Sequence, residues 1–123
     1  VAIGTAHGSY PKNMIPKLDF ERLTELKNRL NIPLVLHGGS GAGEENIRKA
    51  VACGVNKINV CTDLMNHAKD SMIKVLQEQP DIQYMEWHEA AEEAMKDFIK
   101  DYMRMIGSSN RYTFDKFTGE ELD

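Results

Sequence analysis

Two histidines open the chemistry of this chain: His7 and His37 each precede a glycine, and each follows a short apolar run, Val1 to Thr5 in one case and Ile32 to Leu36 in the other. An imidazole is largely unprotonated near neutral pH and binds zinc at about 2.0–2.1 Å, so histidines from neighbouring elements can share one ion. The same residues equally describe two unrelated hydrogen-bonding side chains, because their separation matches no short zinc motif. Behind His37 comes Gly38-Gly39-Ser40-Gly41-Ala42-Gly43. Glycines remove Cβ atoms, allow positive φ and expose N–H groups that can point at phosphate oxygens. A helix starting near Glu44 is expected to add its positive end. The alternative is a flexible turn. A third polar group, Asn59, Cys61, Thr62 and Asp63, follows the next apolar run, and Asn59 to Thr62 are placed to complete an anion cradle.

Three familiar loop chemistries fail on the residues. Gly38 and Gly43 have P-loop spacing, but Glu44 stands where that motif needs Lys. The glycines do not fit the G-x-G-x-x-G spacing of dinucleotide folds, and Ala42 replaces the second flanking glycine of a nucleophile elbow around Ser40. His67 and His88 fall inside expected helices, away from strand ends, and are read as ordinary surface or packing residues.

The elements that must position these groups alternate. Val1 to Thr5 reads as a strand, and Ala6 to Pro11 as the loop that follows it. Phe20, Leu23, Leu26 and Leu30 recur at helical spacing behind an Asp19 N-cap. Ile32 to Leu36 predicts a second strand. A helix from Glu44 carries Ile47, Ala50 and Val51 and ends at Gly54. Val55 to Val60 predicts a third strand, and Thr62-Asp63 is expected to cap a helix burying Leu64, Ala68, Met72, Val75 and Leu76 before Pro80. A last helix runs from about Met85 to Ile106, where Gly107 stops it; Ser108 to Asp123 reads as a polar tail, leaving 1–107 as the folded portion. Alternating strands and helices imply an α/β fold with a parallel sheet. In such folds sites gather beyond the carboxyl ends of strands, which is where both histidines and the glycine run fall.

The 123 residues include 15 basic and 19 acidic side chains, for a net charge of −4. No apolar run approaches the roughly 20 residues of a membrane helix. No basic stripe favours a nucleic-acid backbone. Val1 to Thr5 is not expected to be a signal peptide. The two cysteines, Cys53 and Cys61, make no disulfide framework, so a reducing, cytoplasmic setting is expected.

Three stretches in order, Ala2-Ile3-Gly4-Thr5-Ala6-His7-Gly8, Pro33 through Gly41, and Gly54 through Thr62, resemble the signatures of class II zinc-dependent ketose-bisphosphate aldolases, in the fructose- and tagatose-bisphosphate branch. The resemblance implies a (β/α)8 barrel of which this chain supplies the last three strand–helix units. It implies reversible cleavage of a ketose 1,6-bisphosphate to dihydroxyacetone phosphate and an aldehyde, through a zinc-stabilised enediolate. By the same resemblance His7 and His37 are zinc ligands, and Gly8, Gly38, Gly39, Ser40, Asn59, Val60, Cys61 and Thr62 contact dihydroxyacetone phosphate. A monovalent cation near the phosphate and a homodimer or homotetramer are further family properties, which no residue here locates.

The family draws a third zinc histidine and its acid/base carboxylate from earlier barrel strands. No catalytic acid or base is therefore assigned within this segment, and the chain reads as an incomplete piece, inactive alone. The competing reading is a metal-free sugar-phosphate-binding barrel protein, an isomerase or a sensor, in which both histidines are polar contacts.

Overall fold

Helix formation begins where the sequence places a cap: the Asp19 carboxylate accepts the Arg22 N–H at 2.8 Å, and α1 (Phe20–Arg29) follows, burying Leu23. The computed structural model describes residues 1–6, 11 and 14–111. Four more elements and a long terminal helix complete the order: β1 (Leu34–Leu36), α2 (Glu44–Ala52), β2 (Val55–Ile58), α3 (Thr62–Glu78) and α4 (Tyr84–Met105). The result is an α/β fold whose sheet, among the described residues, is one parallel pair. Gly54, at φ +103°, turns the chain from α2 into β2, as the left-handed cap reading anticipated.

The β1–β2 register contains one irregularity. Leu34 pairs with Val55 and Val35 with Lys57, so Asn56 is the extra residue, and its side-chain oxygen accepts the Leu34 N–H at 3.0 Å. A bulge of this kind redirects a strand locally without leaving a donor unsatisfied. Beyond the ladder, the Asn59 N–H still donates to the Leu36 carbonyl at 3.0 Å. Pairing therefore persists to the point where the candidate site begins.

The first expected strand is not one. Residues 1–6 run beside β1, with the Val1 nitrogen donating to the Val35 carbonyl at 2.6 Å and the Thr5 hydroxyl to the His37 carbonyl at 2.7 Å, but they form no ladder. Gly4 is the reason: its φ of +103° bends the backbone, and a Cβ there would lie 2.5 Å from the Lys17 carbonyl oxygen. The Asp19 N–H then takes the Ile3 carbonyl, so the segment bonds to the approach of α1 instead of only to β1. It is still fixed, and Ile3 is buried with Leu23, Leu36 and Ile47 at the centre of the core.

The α3 stripe also differs from expectation. Ala68 is its buried residue, whereas Leu76 is 43% exposed. This follows from packing: α3 lies chiefly against α4, joined by the Trp87 indole N–H on the Met72 carbonyl at 2.8 Å and the Ser71 hydroxyl on the Ala90 carbonyl at 3.0 Å. The end of α4 returns to the central core through Tyr102, Met105 and Ile106. Among the described residues no helix is long and apolar enough to cross a membrane. Most of the expected polar tail, 112–123, lies outside the described residues.

Candidate active site

The ends of β1 and β2 enclose a cleft of about 140 Å³ lined by His37, Gly38, Ser40, Asn59, Val60, Cys61 and Thr62. That lining contains all but one of the described residues singled out by sequence as metal or phosphate contacts; Gly39 is buried directly behind it. His7 and Gly8 lie outside the described residues. Their neighbour does not: a Cβ on Gly38, at φ +67°, would meet the Ala6 carbonyl carbon at 2.8 Å and its oxygen closer still. The chain position before His7 is thus packed onto the position after His37.

His37 is exposed at the mouth of the cleft, with the Asn59 amide nitrogen 3.2 Å from Nδ1 and 3.4 Å from Nε2. An amide that can donate to either ring nitrogen orients the imidazole while leaving its tautomer to be set by what else binds. Among the described residues no group of three histidine, cysteine or acidic side chains could hold a metal. His37 can contribute one ligand, and the Ala6–Gly38 contact brings the chain leading to His7 beside it.

Among the described residues no lysine or arginine lines the cleft. An anion there would be held by backbone N–H groups, hydroxyls and the beginning of a helix, which suffices for phosphate. The helix differs from the one expected. Cys61 and Thr62, at the start of α3, line the cleft, whereas Gly43 and Glu44 at the start of α2 line a separate hollow of about 260 Å³ behind the glycine loop. Two acidic residues, Glu44 and Glu45, already occupy the α2 first turn and complement its dipole.

Nor do Thr62 and Asp63 cap α3. Cys61 is the N-cap residue and gives no side-chain cap bond, while Asp63 reaches back across the loop: its N–H donates to Ser40 Oγ at 3.2 Å and its carboxylate accepts the Gly41 N–H at 3.0 Å. Ser40 is only 6% exposed, so this link is part of the wall of the site.

Tyr102, near the end of α4, stands behind the glycine loop and carries no signal in the sequence beyond helical spacing. Its hydroxyl oxygen is buried without a hydrogen-bond partner among the described residues, and it would lie 3.6 Å from a Cβ on Gly39. Burial, and secondarily the negative charge of Asp63, push the phenol up to about 12 from its ordinary value of 10. The neutral phenol therefore contributes stability that is complete below pH 10 and is lost as the pH rises toward 12. Tyr102→Phe is expected to remove this alkaline loss and to change stability at neutral pH by no more than about 1 kcal/mol, since no bond is broken. Denaturant unfolding of both proteins across the alkaline range checks it; an unchanged alkaline limb contradicts the assignment.

Comparison with known proteins decides the family. The family model described as fructose-bisphosphate aldolase class-II matches residues 1–111. The chain belongs to this aldolase family. A sulfofructosephosphate aldolase from Alkalicoccus urumqiensis is 41% identical over 113 residues, which are 90% of this chain and 38% of the relative. The YdjI aldolase from Escherichia coli K12 superposes with a TM-score of 0.74 at 27% identity, covering 92% of this chain and 40% of that one. A fructose-bisphosphate aldolase from Campylobacter jejuni gives 0.68 at 25% identity, over 85% and 38%. The chain therefore spans about two fifths of the length of these aldolases, and the three sequence signatures fall within the family match.

Proposed function

We propose that this chain forms the phosphate-and-metal side of a class II aldolase site, as the closing three strand–helix units of a (β/α)8 barrel. The single observation that supports the reading most is the cleft itself, which gathers His37, Gly38, Ser40 and Asn59 to Thr62 from two parallel strand ends. The reaction is reversible cleavage of a ketose 1,6-bisphosphate, of fructose or tagatose configuration, to dihydroxyacetone phosphate and an aldehyde. The name of the Alkalicoccus relative adds a sulfofructose phosphate as a substrate to be assayed beside them. All these candidates share a ketose phosphate, and it is the phosphate end that the cleft suits, being well below the about 300 Å³ of pockets for larger ligands.

His7 and His37 would hold zinc, together with a histidine from outside this chain. The donor set fits: unprotonated imidazole is a preferred zinc ligand. When bound, zinc supplies Lewis-acid stabilisation of the negative charge that develops on the substrate oxygens. The residues of this chain have separate tasks. Ser40 and the backbone N–H groups of Cys61 and Thr62 bind phosphate, the glycines let the backbone come close to it, and Asn59 orients His37 and presents its amide to the substrate. The acid/base carboxylate belongs to another part of the polypeptide, so no proton transfer at carbon is assigned here.

For the whole protein, elemental analysis is expected to find about one zinc per chain, and chelation to abolish cleavage that added zinc restores. Metal-free protein cleaving at an undiminished rate would refute the reading. Neither the fold nor the relatives favour a metal-free isomerase or sensor.

A further inference from the structure

Asp63 belongs to none of the proposed zinc or phosphate contacts, yet it holds both sides of the Ser40–Gly41 step. Its N–H donates to Ser40 Oγ at 3.2 Å, and its Oδ2 accepts the Gly41 N–H at 3.0 Å. Main chain and side chain of one residue thus tie the glycine loop to the first turn of α3, across 22 and 23 residues of sequence.

The arrangement has a directional consequence at Ser40. A hydroxyl has one proton and two lone pairs. With one lone pair taken by the Asp63 N–H, the proton is directed elsewhere, and Ser40, 6% exposed, opens on the cleft that His37 and Asn59 share. The Asp63 carboxylate is not among the groups lining that cleft. It lines the hollow behind the loop, with Gly39, Gly41 and Tyr102. A carboxylate beside the phosphate would repel it; behind the loop it acts on the backbone instead, drawing the Gly41 N–H backward and fixing the conformation in which Ser40 faces forward. Gly41 has φ +72°, a region that glycine samples readily and leaves readily, so an external acceptor is what holds it there.

We propose that Asp63 is a positioning residue for phosphate: it sets the glycine loop so that Ser40 donates into the cleft, without touching the ligand. The inference rests on the phosphate cleft of the proposed function. It requires an acceptor at Gly41 rather than a charge, so an isosteric amide should serve.

The test uses the whole protein and inorganic phosphate as the probe, followed by calorimetry, with a ketose bisphosphate assay beside it. Asp63→Ala is expected to weaken phosphate binding about tenfold or more. It should raise KM for the ketose phosphate by a similar factor while kcat changes little. Asp63→Asn should stay within about threefold of the unaltered protein in both. If Asp63→Ala does not fold, Asp63→Ser replaces it, keeping a polar residue in the first turn of α3 but stopping short of the Gly41 N–H. Unaltered protein that binds no phosphate overturns both the phosphate cleft and this inference. Phosphate binding that survives the short side chain intact overturns the inference alone, as does a loss in kcat with KM unmoved. Folded Asp63→Asn as weak as the short variant shows that charge, not the acceptor, matters, and also overturns it.

Discussion

Replacing His37 by Ala in the whole protein is expected to lower kcat/KM for ketose bisphosphate cleavage by about a thousandfold, close to 4 kcal/mol of transition-state stabilisation, and to lower bound zinc well below one per chain. The magnitude comes from the number of ligands. This chain offers two histidines to the proposed ion, and loss of one leaves an incomplete set in which zinc is neither tightly held nor correctly oriented. With zinc stripped from both proteins stability should hardly differ, because the His37 side chain is exposed and such sites usually move stability by no more than about 0.5 kcal/mol; with zinc present the variant loses the metal's own stabilisation. Phosphate should still bind, since Ser40 and the first turn of α3 remain in place. The pattern to be measured is therefore selective: metal content and turnover fall together, while phosphate titration and the unfolding of the metal-free proteins stay nearly where they were. Normal zinc and normal turnover in His37→Ala would remove the imidazole from the reaction altogether.

The residues that line the cleft are legible in the sequence, and the reason is local. Apolar strands that end in histidine and glycine, and helices that start at Asp19 and stop at Gly54, are written in spacings of a few residues. Strand-end placement follows from the parallel α/β pattern, so His37, Ser40 and Asn59 to Thr62 could be brought to one place from sequence, and the cleft they line agrees. The family resemblance, carried by the same stretches, is upheld by the match over residues 1–111.

What escaped depends on contacts between distant residues. Val1 to Thr5 has strand composition, but Gly4 is bent by the approach of Lys17 and Leu18, which no periodicity reveals. Leu76 continues an apolar stripe at perfect helical spacing and is exposed, because spacing defines a face without saying what covers it. The start of α2 follows the glycine run directly in sequence, and spacing alone aims its dipole at the strand-end cleft. In space Gly43, at φ +84°, turns the chain away and α3 takes that place. Asp63 looked like a helix cap because it stands at a helix start, where Asp usually serves its own first turn. Its carboxylate instead satisfies Gly41, a partner that only the folded loop brings near.

Gly38 is where this long-range geometry is most demanding, and its replacement is expected to be the costliest single change to stability in the site. Gly38→Ala incurs two separate penalties. An L-residue at φ +67° costs about 1–2 kcal/mol. Its Cβ would also press into the Ala6 carbonyl group, with the carbon at 2.8 Å, and relieving such an overlap with backbone atoms costs about 1–3 kcal/mol more. Together these give about 2–5 kcal/mol, a large share of the stability of a typical domain. Gly107→Ala separates the terms. Gly107 closes α4 at a similar φ of +73° with nothing within 4 Å of an added Cβ, so it should show only the first penalty. Denaturant unfolding of the two variants in the whole protein measures the difference, and equal losses would show that the Ala6 contact carries no weight. The contact also couples stability to chemistry. Ala6 can give way only by moving the backbone that leads directly to His7, so Gly38→Ala should lose zinc even where enough folded protein remains to assay, whereas Gly107→Ala should keep it.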